Sequence, residues 1–229
     1  MGNRGHRGRI ICSGLGIMLG LAAVPGWAMM GGHYQVEDAT MADPGRCEVD
    51  AWYQRVDSDT QGVFGELVCN PTGVAEFTLG LSRVDTGDSW RTDVAIEGKT
   101  LFKQPVVGGW GWGLVGISSW SDEFSEHETL EMIAPVTVIP NDRLALHFNV
   151  GAAYQANDRD VGLWGVATDI VLRENTHLIA EGYGTHRGDP EYQVGIRQFY
   201  GQAKLDLSFG WEGSDTSENW FTVGVGWAF

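Results

Sequence analysis

Beyond residue 30 the chain has no apolar run approaching the ~20 residues that a membrane-spanning helix requires, so any bilayer crossing must be made by strands. Positive charge is scarce: 15 Lys and Arg stand against 30 Asp and Glu, a formal net charge of -15. That balance excludes a nucleic-acid partner, because the phosphate contribution would be repulsive. Proline is rare, at 7 of 229 residues, and only three cysteines are present. Neither a Gly-x-Ser-x-Gly elbow nor a His-Glu-x-x-His pair occurs, and no histidine or third cysteine lies at ligand spacing from Cys47 and Cys69. The expectation is accordingly no catalytic residue, no metal and no cofactor. What the chain has in quantity is glycine (33), tryptophan (10) and 43% hydrophobic residues. The hydrophobic content excludes a disordered acidic chain, and the glycine favours many short strands over helices.

Residues 1–28 read as a cleaved signal peptide. Arg4, Arg7 and Arg9 form a positive start, Ile10 to Ala23 an apolar stretch, and Gly26-Trp27-Ala28 a small-residue cleavage site. From Arg46 to the end, segments of about ten residues alternate apolar and polar, the dyad signal of transmembrane strands. Leu144, Leu146, Phe148, Val150 and Ala152 oppose Arg143, Ala145, His147, Asn149 and Gly151. Leu205, Leu207, Phe209 and Trp211 oppose Lys204, Asp206, Ser208 and Gly210, and Phe221, Val223, Val225, Trp227 and Phe229 oppose Thr222, Gly224, Gly226 and Ala228. About twelve strands are predicted, near 46–56, 62–69, 74–84, 90–101, 109–120, 128–138, 143–154, 163–172, 177–184, 191–199, 202–211 and 219–229. The fold class is therefore all-β, a transmembrane antiparallel up-and-down barrel over 46–229, after a periplasmic N-terminal segment at 29–45.

The connections give an independent parity test. Those at 57–61, 85–89, 121–127, 156–162, 186–190 and 212–218 are mostly longer and acidic, as external loops are; those at 70–73, 103–108, 140–142, 174–176 and 200–201 read as short periplasmic turns. The last strand ends on Phe229, which looks like the C-terminal signal read by the barrel-assembly machinery and serves physically to close the sheet. A soluble periplasmic barrel also alternates. Aromatics near strand ends favour the membrane form: Tyr53, Trp90, Trp110, Trp120, Tyr154, Trp164, Tyr192, Phe199, Trp211, Trp220 and Trp227 are placed as interfacial girdles would be.

Opposed residues of an antiparallel hairpin have a constant sum, and Cys47 with Cys69 centres on residue 58, within the first predicted loop. The two would face each other on strands one and two, as a disulfide in an oxidising compartment or as free thiols. The polar face, turned inward, gives a lumen lined by Glu48, Asp50, Gln54, Glu66, Glu76, Asp93, Glu97, Glu131, Asp169, Glu181 and Asp206. Lys99, Arg143, Arg197, Lys204 and His147 are interleaved with these acids, and Asn149 lies nearby. Two readings stay open: an acidic, water-filled pore favouring cations, or a narrow interior filled by ion pairs. A lipid hydrolase would draw on His127 with Ser125, His186 with Asp189, or His147 with Asn149.

The stretch Val36-Glu37-Asp38-Ala39-Thr40, followed by Pro44-Gly45-Arg46-Cys47-Glu48-Val49-Asp50-Ala51-Trp52, resembles the N-terminal pattern of a bacterial barrel family, the transporters of the phenol-degradation (MetA-pathway) type. The family's run of Asp is replaced by Glu37-Asp38, and Thr40-Met41 also departs from its pattern. The resemblance implies an outer-membrane barrel passing small solutes, aromatic ones included, with Glu48 and Asp50 pointing inward. The sequence leaves open whether the segment before Arg46 plugs the lumen or hangs in the periplasm. The combined expectation is a passive porin-like channel in the bacterial outer membrane, whose partners are lipid and lipopolysaccharide, the assembly machinery and small solutes. A closed structural or interaction barrel is the alternative.

Overall fold

The computed structural model describes residues 32–56, 60–121, 126–155, 159–214 and 218–229. The expected leader, residues 1–28, and the loop segments 57–59, 122–125, 156–158 and 215–217 lie outside the described residues, as do Ser125 and the side chain of His127.

Twelve strands are ordered β1 Arg46–Arg55, β2 Gln61–Asn70, β3 Glu76–Asp85, β4 Trp90–Lys103, β5 Gly109–Ser121, β6 Glu126–Asn141, β7 Leu144–Gln155, β8 Val161–Arg173, β9 Thr176–Thr185, β10 Glu191–Tyr200, β11 Ala203–Glu212 and β12 Asn219–Ala228. Each pairs antiparallel with its chain neighbours, and β12 pairs with β1 to close the barrel. Closure removes both free edges. At the seam, Cys47 and Phe229 exchange main-chain bonds of 3.0 and 2.8 Å. No helix among the described residues is long and apolar enough to cross a membrane, and none is needed when every strand satisfies its backbone through two partners.

The alternation sorts side chains as the sequence pattern predicts. Leu79, Leu81, Ile96, Val166, Ile196, Leu207, Phe209 and Val225 point outward and are exposed, whereas the residues between them are mostly buried and polar. A soluble barrel does the reverse, hiding its apolar face; an exposed apolar wall around a charged interior is stable only where lipid takes the place of water. Trp90, Trp110, Tyr154, Trp164, Tyr192, Trp211 and Trp227 are exposed on that wall. Four expected girdle members are not: Tyr53 and Trp120 are half-buried, and Trp220 and Phe199 have inward parity. Trp220 is buried inside, its indole N–H donating to Gln193 Oε1 at 2.9 Å, because it shares the parity of inward Thr222 and Gly224. Phe199 has inward parity too, and its ring stands edge-on to His177 with centroids 5.4 Å apart.

Cys47 and Cys69 are register partners on β1 and β2 and are joined by a disulfide, with 4.1 Å between their Cα atoms. It lies at the end of the barrel that holds both the start of β1 and the C-terminus. The residues enclosed are 22 apart, so chain entropy alone gives about 3 kcal/mol of stabilisation. Replacing both cysteines by serine is expected to lower unfolding free energy by about that amount in urea titration of the refolded protein, without altering its strand content.

Candidate functional site

The barrel interior is not empty. Residues 32–43, outside any strand, run through it before Gly45 turns the chain into β1. Gly45 has φ +81°, where a side chain is strained, and its N–H donates to the Asn70 carbonyl at 2.7 Å. His33, Tyr34, Val36, Glu37, Asp38, Ala39, Met41 and Ala42 are all buried. Of the two placements the sequence leaves open for segment 29–45, its described part takes the one inside the lumen. It is a stopper, and the physical reason is on the wall facing it.

Wall side chains hold its main chain at successive points. Gln193 Nε2 donates to the His33 carbonyl at 3.4 Å. Glu181 accepts the N–H groups of Gln35 and Val36, at 3.0 and 3.1 Å to its nearer oxygens. Asn149 grips Glu37 on both sides, accepting its N–H at 2.7 Å and donating to its carbonyl at 2.8 Å. Thr137 Oγ1 accepts from Ala39 N–H at 2.8 Å and sits 2.9 Å from His147 Nδ1. Nearer β1, Glu76 accepts from Ala42 N–H at 2.6 Å, and Asn70 Nδ2 donates to the Ala42 carbonyl at 2.5 Å. A non-sheet segment buried in this way must satisfy its amides with side chains, since the strands' backbones are already paired.

Charge fastens the stopper at one point. Lys99 Nζ, 1% exposed, lies 3.1 Å from Glu37 Oε2 and 3.2 Å from Asp38 Oδ1. Burial, opposed by Lys99, raises Glu37 to about 7. Burial also lowers His33 to about 4, so it enters as neutral imidazole. The Tyr34 ring lies under the Arg197 guanidinium, 5.2 Å from its carbon to the ring centroid. Such a desolvated cation–aromatic contact is worth up to ~2 kcal/mol.

Three further charge groups lie along the wall. Arg197 makes a bidentate pair with Asp206 at 2.7 and 2.9 Å, favoured by the planar match of guanidinium and carboxylate. His177 Nδ1 is 2.8 Å from Asp169 Oδ1. Lys204 reaches Glu48 and Asp50, each at 3.0 Å. Lys204 is on β11 and its partners are on β1, so it must cross β12, and it does so over Gly226. A Cβ on Gly226 would meet Asp50 Oδ1 and the Lys204 stem. Gly226→Val is therefore expected to unseat Lys204 and cost about 3 kcal/mol, the lower end for breaking a buried pair, read as a lower unfolding midpoint.

Of the residues expected to line the lumen, Glu48, Asp50, Glu66, Glu76, Glu97, Lys99, Glu131, His147, Asp169, Glu181, Arg197, Lys204 and Asp206 are buried inside the barrel. Asp93 and Gln54 are half-buried, and Asp93 pairs with Arg91 at 2.6 Å. Arg143 is not in the interior. It lies in the turn before β7 and is exposed, because β7 begins at Leu144 and the strand alternation does not extend to the turn. Thr137, His177, Gln193 and Asn70 were not singled out from sequence; inward parity marks the first three, but a partner approaching from the N-terminus leaves no periodic trace. His186 is exposed, its Nδ1 accepting from Gly162 N–H at 2.8 Å. Among the described residues no group of three or more His, Cys, Asp or Glu side chains could hold a metal ion.

Residues 17–229 match the model of the family Uncharacterised conserved protein UCP029691. The chain belongs to this family. No curated protein matches it. Among solved structures it is similar to the KdgM porin at TM-score 0.67 and 10% identity, over 80% of this chain and 99% of the porin. The same porin in complex with disordered oligogalacturonate gives 0.65 at 10% identity, over 80% and 99%. The NanC porin gives 0.64 at 11%, over 79% and 98%. At such identities the likeness is one of fold: this family member has a porin-like transmembrane barrel.

Proposed function

We propose that the protein is an outer-membrane channel for small polar solutes, kept shut at rest by its own N-terminal segment. One observation carries the reading: the interior is occupied by a strandless segment that wall side chains hold, beside only two small apolar clusters among the described residues. Such a stopper leaves without breaking any strand pairing. Among the described interior wall residues, acids outnumber the cations Lys99, Arg197 and Lys204, so an opened lumen attracts cations over anions. Solutes of the phenol-degradation type, small and aromatic, are the finer version of this reading, supported by the resemblance of the Val36–Trp52 stretch. Lipid and lipopolysaccharide face the apolar wall, and the assembly machinery reads the strand ending at Phe229.

The expected leader fits the same picture. Residue 32 lies inside the barrel beside Arg197 and Asp206, a placement compatible with cleavage of the leader after Ala28. The second reading, a closed structural barrel, is favoured by the depth at which the stopper is buried.

Single-channel recording of the refolded protein under a salt gradient separates the two. Intermittent steps with a reversal potential displaced toward the cation equilibrium value support the channel. A folded, heat-modifiable protein that never conducts supports the closed barrel.

A further inference from the structure

The wall reads the stopper as a peptide backbone. Glu181, Asn149, Thr137, Glu76, Asn70 and Gln193 all engage its N–H or carbonyl groups, and none of these contacts uses a stopper side chain. The grips recur from His33 to Ala42, and Asn149 takes the donor and the acceptor of one residue together. Any peptide that follows the same path, which bends at Val36 and Ala39, presents the same groups. A carbohydrate presents hydroxyls instead, with no alternation of fixed donor and acceptor. Stopper side chains are engaged at fewer places: Glu37 and Asp38 at Lys99, Tyr34 under Arg197, and Tyr34 with Val36 packed against Ala167 and Ile179.

We infer that the lumen is a binding track for peptides, and that residues 32–43 occupy it as a tethered stand-in for an oligopeptide solute. The inference rests on the channel reading and names its solute class. Peptides of about ten residues bind along Glu181, Asn149, Thr137 and Glu76, and are strengthened by an acidic residue opposite Lys99 and apolar ones opposite Ala167 and Ile179. The tether keeps the segment at high effective concentration, of the order of mM for a short linker, so a free peptide competes only once the tether is cut.

The test starts from the full folded chain. A specific protease site placed at the exposed Pro44–Gly45 turn lets the barrel be nicked after refolding in detergent. A fluorescent peptide with the sequence of residues 32–43 is then exchanged into the nicked barrel and followed by anisotropy. Expected are binding by this peptide and competition within about tenfold by a peptide of permuted sequence that retains Tyr34, Val36 and the acidic pair in place. Loss of about a hundredfold or more is expected when the amides equivalent to Val36, Glu37 and Ala39 are N-methylated. A linear neutral hexasaccharide should not compete. Equal binding of the methylated peptide, or failure of the permuted one, would mean that side chains are read and overturn the inference. A nicked segment that an excess of its own peptide cannot displace would overturn it as well, because the track would not be exchangeable. Conductance of the nicked, exchanged barrel is read separately: silence there defeats the channel reading while the binding result stands.

Discussion

Lys99→Met is expected to open the channel. The ammonium is the cation that faces Glu37 and Asp38 of the stopper, at 3.1 and 3.2 Å in a site only 1% exposed. Methionine keeps the length and apolar stem but takes the ammonium away from the two buried acids of the stopper. Removing one partner of a buried pair costs about 3–5 kcal/mol. If about 3 kcal/mol of that falls on seating, the ratio of seated to unseated stopper drops roughly a hundredfold, since 1.4 kcal/mol is tenfold. Strand pairing stays intact, Lys99 facing only the acid Glu76 across β3 and β4, so the barrel is expected to fold while its open probability in a planar bilayer rises by one to two orders of magnitude. Lys99→Arg, which retains the charge, should stay close to the parent. An unchanged open probability in a folded Lys99→Met barrel would show that this ion pair does not latch the stopper.

Arg197→Met should be the most damaging single change in the wall. Arg197 is fully buried, chelates Asp206 through Nε and Nη2, and covers the Tyr34 ring. Its loss strands the Asp206 carboxylate in the interior and removes a stopper contact, for an expected cost of about 3–5 kcal/mol. The unfolded band on unheated gels should then appear at lower urea concentration. Arg197→Met combined with Asp206→Leu should recover much of the loss, because apolar replacement of a whole buried pair is often neutral or better. A double variant as unstable as the single one would place the cost in the arginine's packing instead of its charge.

The wall was legible because a closed barrel separates lipid from interior at every second residue, and twelve strands repeat that code. Observed strand limits differ from the expected ones by at most three residues, and the Cys47–Cys69 pairing follows from hairpin register alone. Arg143 shows where the code stops: one residue before Leu144 the chain is a turn, and parity no longer assigns a face. Trp220 shows its second weakness, since residue type suggested a girdle where parity required the interior. The stopper left no such signal. Its sequence has no period, and its grips on Asn149 and Glu181 join residues more than a hundred positions apart. What sequence marked was only the supply of inward polar groups, not the segment that uses them. The ion pairs that cross strands, such as Lys204 over Gly226, were equally hidden, because they depend on a small residue in a strand between the partners.

The most direct test of a removable stopper is a reversible lock. Ala39 N–H and Thr137 Oγ1 are 2.8 Å apart and both residues are buried, so Ala39→Cys with Thr137→Cys places a thiol on the stopper against one on the wall. Single-channel current is recorded from the oxidised double variant, then after adding reductant, with the parent treated alike as the control for Cys47–Cys69. Silence when oxidised, and openings that appear only on reduction, are predicted. Equal current in both states would mean that solute passes by another route, and identical silence in variant and parent under both conditions would mean that the barrel is closed.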